Sequence, residues 1–75
     1  MPRTEPIYQR IIRDIEAQVA SRALKPGDRL PSTAEMAEQY ACSTPTVKQA
    51  LVRLEERGIV EGHQGLGRFI RKRVS

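Results

Sequence analysis

Two helix starts crowd the middle of this chain and limit what it can fold into. Ser32-Thr33-Ala34-Glu35 has the spacing of a capping box. In that motif the serine hydroxyl accepts from the Glu35 amide, and the Glu35 carboxylate accepts from the Ser32 amide. The helix it opens must end near Tyr40, because Ser43 or Thr44 offers a second cap and Pro45 suits the first turn of a new helix. Met36, Ala37 and Tyr40 form the apolar side of the first of these helices. Val47, Ala50, Leu51 and Leu54 follow the i, i+3, i+4, i+7 pattern along the second. Gly58, just past Arg57, suits the helix stop. The second helix therefore spans about Thr44 to Arg57, joined to the first by the tight connection Ala41-Cys42-Ser43.

Helices this short are marginal alone and need a partner to bury their apolar faces. An earlier segment supplies one. Ile7, Ile11, Ile15 and Val19 recur every four residues from about Glu5 to Arg22, with Tyr8, Ile12 and Ala20 beside them and Arg10, Arg13, Asp14 and Gln18 opposite. Thr4 suits the cap of this helix, and Pro6 is tolerated in its first turn. Between it and Ser32, Pro26-Gly27 fits the centre of a type II turn, with Gly27 at positive φ. Leu24 and Leu30 flank that turn as core anchors, and Arg29-Leu30 suits a very short strand that Pro31 halts.

After Gly58 the pattern changes. Ile59-Val60-Glu61 and Arg68-Phe69-Ile70-Arg71 read as two strands, with Gly62, Gly65 and Gly67 between them. This is a hairpin with an extended loop, and residues 71–75 are expected to fray. The fold class is therefore mainly α with a small β-hairpin. Two short helices across a tight turn, followed by a hairpin, make a winged helix-turn-helix of three helices plus a β-wing.

Composition narrows the function. The 75 residues suit a single domain over 1–75, with 39% hydrophobic residues and few aromatics (Tyr8, Tyr40, Phe69). No run approaches the ~18 apolar residues of a membrane helix, and the N-terminus carries no secretory pattern. A single cysteine, Cys42, makes no internal disulfide and fits a reducing cytoplasm. It reads as a small buried apolar residue rather than a reactive thiol. Cys42 and His63 together fall short of the ligand set of a structural zinc site, and His63 has only Glu61 as a nearby carboxylate. No cofactor, metal or enzymatic activity is expected.

Charge is uneven. Residues 1–61 hold nine Lys/Arg and all nine acids, so the net +4 lies wholly in residues 62–75, on Arg68, Arg71, Lys72 and Arg73. This basic stretch is either a solvated charged tail or a strand that faces a polyanion, and the rest of the chain decides between them. On the second helix of the pair, removing the core positions leaves Ser43, Thr44, Thr46, Lys48 and Gln49 near the N-terminus, with no acid among them. Hydroxyls and the helix N-terminus suit phosphate oxygens. Lys48 suits guanine acceptors and Gln49 suits adenine in the major groove, while Glu55 and Glu56 sit at the far end. In the hairpin, Gln64 suits the minor groove, Arg68 and Arg71 suit phosphates, and the glycines permit close backbone approach.

Several blocks, in order from Pro6 to Ile70, resemble the DNA-binding domain of the GntR family of bacterial transcription regulators. They are Pro6-Ile7-Tyr8-Gln9, Leu24 to Ser32, Val47-Lys48-Gln49-Ala50-Leu51, Leu54-Glu55, Gly58-Ile59-Val60 and Gln64-Gly65 with Gly67 and Phe69. The resemblance implies contacts to double-stranded operator DNA at Ser32, Ser43, Thr44, Thr46, Lys48, Gln64 and Gly65. It also implies repression, with a dimer on an inverted repeat and a separate C-terminal domain that senses a small molecule. Four positions depart from the usual pattern. Ala34 stands where Arg is usual, Thr44 where a basic residue is usual, Lys48 where Arg is common, and Leu66 where the wing tip often carries Arg or Lys. Lysine lacks the guanidinium fork, so the family's usual operator is not carried over. Phosphate contacts by Arg68 and Arg71 are expected to compensate.

The sequence thus predicts a cytoplasmic, nucleoid-associated DNA binder, with the recognition helix at about 44–57 and the wing at about 62–68. As an isolated domain, either truncated or a minimal regulator, it is expected to be a monomer or weak dimer. The competing expectation is a winged helix used for protein contact. That use calls for exposed apolar residues on the recognition face, where only Val52 qualifies.

Overall fold

The computed structural model describes residues 5–63 and 65–72. Helix α1 spans Ile7–Ala20, α2 Thr33–Tyr40 and α3 Thr44–Glu56, and strands β1 (Val60–His63) and β2 (Gly67–Ile70) close the chain as an antiparallel hairpin. Helix α1 is shorter than the sequence pattern predicts. Pro6 is its N-cap, in extended conformation, rather than a first-turn residue. Pro6 lacks a side-chain acceptor, and the expected cap Thr4 lies outside the described residues.

Ile11, Ile12 and Ile15 are buried, whereas Ile7 and Val19 only pack against the edge of the core and Ala20 is exposed. The stripe curves off the core at both helix ends. Ile11, Val47, Ala50 and Leu54 lose all solvent contact, and Leu51, Leu30, Met36, Val60 and Ile70 nearly all of it. Truncating one of these large side chains, such as Leu54, to alanine removes about 2–5 kcal/mol in comparable cores.

Helices α1 and α2 are also pinned by a polar contact. The Tyr40 hydroxyl donates to Asp14 Oδ2 at 2.9 Å. Burial first, and then that carboxylate, push the Tyr40 phenol up to about 12.

The Lys25–Asp28 turn forms as expected. Asp28 N–H donates to the Lys25 carbonyl at 2.9 Å, with Gly27 at φ 91°. Beyond it Arg29 bridges Phe69, Leu30 N–H donates to the Arg68 carbonyl, and Ile70 N–H donates to the Asp28 carbonyl. This makes a third rung against β2, which ties the start of the helix pair to the hairpin.

Helix α2 ends in a left-handed residue. Ala41 has φ 53°, and the Cys42 amide reaches back to the Ala37 carbonyl at 2.9 Å. Cys42 is half-buried against the core rather than enclosed.

The hairpin departs from expectation at both ends. Pairing runs Val60↔Ile70, Glu61↔Phe69, Gly62↔Arg68 and His63↔Gly67, so Gly62 and Gly67 lie in the ladder and the connection is tighter. Ile59 and Arg71 fall outside the strands. Arg71 is nonetheless held, its amide donating to the Ile59 carbonyl at 2.8 Å, so the expected fraying does not begin there.

Candidate nucleic-acid interface

The first turns of α3 present the polar stretch to solvent. Ser43 is the N-cap residue, and Thr44, Pro45, Lys48 and Gln49 are exposed while Thr46 is half-buried. The buried face of α3 carries Val47, Ala50, Leu51 and Leu54, which rotates Lys48 and Gln49 outward. Its first turn holds no acid. Among the described residues Lys48 forms no ion pair.

The cap differs from expectation in one respect. The Ser43 hydroxyl bonds no backbone amide; it lies 2.9 Å from the Thr46 hydroxyl. The open amides and paired hydroxyls at this helix start form a donor-rich, acid-free end suited to phosphate.

Ser32 stands at the start of α2, where its hydroxyl accepts from Glu35 N–H at 3.1 Å and its own amide donates to Glu35 Oε1 at 2.9 Å. This capping box holds the Glu35 carboxyl below the usual carboxylate range. The Ser32 backbone hydrogen bond is the largest cause, followed by the Ser32 hydroxyl, with Arg29 helping. The Ser32 hydroxyl therefore already has a structural partner.

The wing residues separate. Gly65, at φ 80°, is exposed at the hairpin tip with open space around it. Gln64 lies outside the described residues. Arg68 donates from Nε to Glu55 Oε2 at 2.9 Å, with the side chain only 25% exposed. Gly62 makes room for this pair, because a Cβ there would stand 3.2 Å from the Glu55 carboxylate. Arg68 thus pins the wing to α3.

Arg71 goes elsewhere. With Arg22, Lys25, Arg57 and Lys72 it lines a groove of about 850 Å³ at the C-terminal end of α3, whose apolar wall includes Leu24 and Ile59. The structure does not bring Arg71 together with Lys48 and Gln49.

Sequence reasoning missed Arg29. The bridge to Phe69 carries it to the wing, where its guanidinium lies across Gly67, 3.3 Å from the position of a Cβ. It is exposed and stands between the α2 start and the hairpin tip. The available signal was strand parity: Leu30 faces the core, so Arg29 faces out. Three other arginines are engaged within the protein. Arg57 bonds Glu16, Arg13 bonds Glu5, and Arg53 stacks 5.9 Å over the Tyr8 ring.

Three helices, a tight turn before an acid-free recognition helix, and a hairpin pinned to that helix define a winged helix-turn-helix domain of the DNA-binding class. The sequence profile described as bacterial regulatory proteins, gntR family, matches residues 7–70, and the chain belongs to that family. It is 38% identical over 68 residues to the Escherichia coli mannosyl-D-glycerate transport/metabolism system repressor MngR, covering 91% of this chain and 28% of MngR. A transcriptional regulator from Oenococcus oeni superposes with a TM-score of 0.86 at 31% identity, over 95% of this chain and 59% of that one. The DNA-binding domain of AraR, solved in complex with operator ORR3, gives 0.87 at 23% identity over 93% and 84% of the two chains, a likeness of fold. The chain thus spans just over a quarter of the curated relative's length and about three fifths of the Oenococcus chain. The family is one of regulatory proteins, in keeping with the non-enzymatic reading of the sequence.

Proposed function

We propose that this domain binds double-stranded operator DNA to repress transcription. The recognition stretch Ser43 to Gln49 enters the major groove, and the wing grips the flank. The observation that carries this reading is the charge-sorted face of α3: Lys48 and Gln49 exposed beside open helix amides, with no acid in the first turn. Lys48 and Gln49 contact base edges, while Ser43, Thr44 and Thr46 contact phosphates. Ser32, Gln64 and Gly65 complete the contacts that the family resemblance suggests, and Arg29 adds a cation beside the wing. Arg68 positions the hairpin and offers the rest of its guanidinium to phosphate. A single domain covers one half-site. Two would require half-sites about one helical turn apart, in an inverted repeat. In a longer protein, a following domain would pair the subunits and sense the effector, in the cytoplasm.

The test is a duplex titration at several salt concentrations, on a site selected from a random pool. Log affinity should fall against log salt with a slope of about −0.9 per phosphate neutralised. Lys48→Ala should cost about 1–3 kcal/mol on the selected site and less on random DNA. Arg68→Ala, which also frees the wing from Glu55, should weaken all duplexes alike. No binding to any duplex at low salt would overturn the reading. If Lys48→Ala weakened every sequence equally, Lys48 would be a phosphate contact only.

A further inference from the structure

The described surface exposes two large hydrophobic side chains, Val52 at 44% and Leu66 at 63%. Both stand on the elements that the proposed function turns toward DNA: Val52 in the middle of α3, Leu66 at the hairpin tip. Val52 follows Gln49 by three residues and Lys48 by four, so the three side chains share one outward strip, opposite the buried Val47, Ala50, Leu51 and Leu54. The rise from Gln49 to Val52 is about 4.5 Å, comparable to the roughly 3.4 Å between stacked base pairs. With α3 laid along the major groove, the two side chains lie close enough to address neighbouring pairs.

An isopropyl group carries no hydrogen-bonding atom, and at this position it lies outside the buried core. β-Branched valine is also a weaker helix former than alanine. In the major groove the apolar feature of a base edge is the thymine C5-methyl. Gln49, one turn before Val52, carries the carboxamide that matches adenine N6 and N7.

We propose that Val52 reads a thymine methyl, so that α3 specifies an A·T pair next to the base addressed by Gln49. This inference rests on the DNA-binding reading and adds a specificity-determining residue to it. Val52 accounts for preference at that position without a hydrogen bond or a charge. It therefore contributes discrimination that is insensitive to salt, unlike the contacts of Lys48. Leu66 meets a different surface, because the minor groove displays no methyl group.

The probe is deoxyuridine, which differs from thymidine only in lacking the methyl. On the selected duplex, each thymidine is replaced singly and affinity is measured. Wild-type protein should lose about fourfold at one thymidine of the half-site, the value of about one buried CH₂-sized group. Val52→Ser should bind the two duplexes equally, and Val52→Ile should keep the discrimination. Leu66→Ala should keep it too, and circular dichroism should show unchanged helix content in every variant. Discrimination that survives Val52→Ser, or its absence at every position for a wild-type protein that binds the duplex, would overturn the methyl contact alone. Failure of the wild-type protein to bind any duplex would overturn the DNA-binding reading on which it rests.

Discussion

The two helices of the helix-turn-helix begin with the same residue type and treat it in opposite ways. At the start of α2, Ser32 and Glu35 satisfy each other's amides within 3.1 Å, and the helix end is closed. At the start of α3, Ser43 occupies the equivalent N-cap position, but its hydroxyl turns to Thr46 and Pro45 removes one amide. The remaining first-turn amides receive no side-chain acceptor from the protein. Helix α2 uses its capping box to close its own start, while the start of α3 has no side-chain cap. The same residue type therefore closes one helix start and leaves the other open, and the open one is where the proposed DNA contact falls.

The largest expected consequence is a split between the two serines. Ser32→Ala removes half of the capping box and should lower stability by about 1 kcal/mol. Ser43→Ala breaks a hydroxyl–hydroxyl contact at an exposed site and should change stability by less than about 0.5 kcal/mol, while weakening duplex binding. Urea denaturation of both variants, beside a titration with DNA, measures the split. Equal stability losses would mean that Ser43 caps α3 after all.

The connection between the two helices provides the next effect. Ala41 holds φ 53°, a region that alanine enters only at a penalty and glycine enters freely. Ala41→Gly should stabilise the domain by up to about 1 kcal/mol, a rise of a few degrees in Tm for a chain of this size. Its DNA affinity should not fall, because the turn that sets α3 against α2 is kept. A lower Tm would show that the cost of glycine flexibility in the unfolded chain exceeds the strain relieved.

These two helix ends also show what a sequence exposes and what it withholds. The capping box was legible because it is closed within four consecutive residues, and the core of α3 because its period is local. The left-handed Ala41 carried no glycine to announce it. The Ser43 side chain had two possible partners of similar reach, backbone or Thr46, and spacing alone does not choose between them. Non-local pairings were the least legible. Arg68 and Arg71 look alike in sequence, but Arg68 meets Glu55 on α3 while Arg71 lines the groove beside Gly58. Arg29 reaches the wing only because a single bridge to Phe69 joins segments far apart in the chain. The family resemblance supplied the order of the parts, and the contacts among them came from packing.

The smallest effect separates the two helix starts by pH. The Ser32 amide and hydroxyl hold the Glu35 carboxyl below its ordinary value of 4.5, whereas the first turn of α3 has no acid. A depressed folded-state pKa contributes stability that is present above the unfolded value and is lost as pH falls through the folded one. The window therefore lies below pH 4.5. Glutamine at this position still accepts the Ser32 amide bond but does not titrate. Near neutrality, where Glu35 is charged, Glu35→Gln should therefore be slightly less stable than wild type. As pH drops from 4.5 toward the folded pKa, wild type should lose stability faster than the variant, and the two melting curves should converge or cross. Ser43→Ala should follow the wild-type pH profile throughout, because nothing at its helix start titrates. If Glu35→Gln instead tracked wild type at every acid pH, the charge on Glu35 would contribute nothing to the closure of α2.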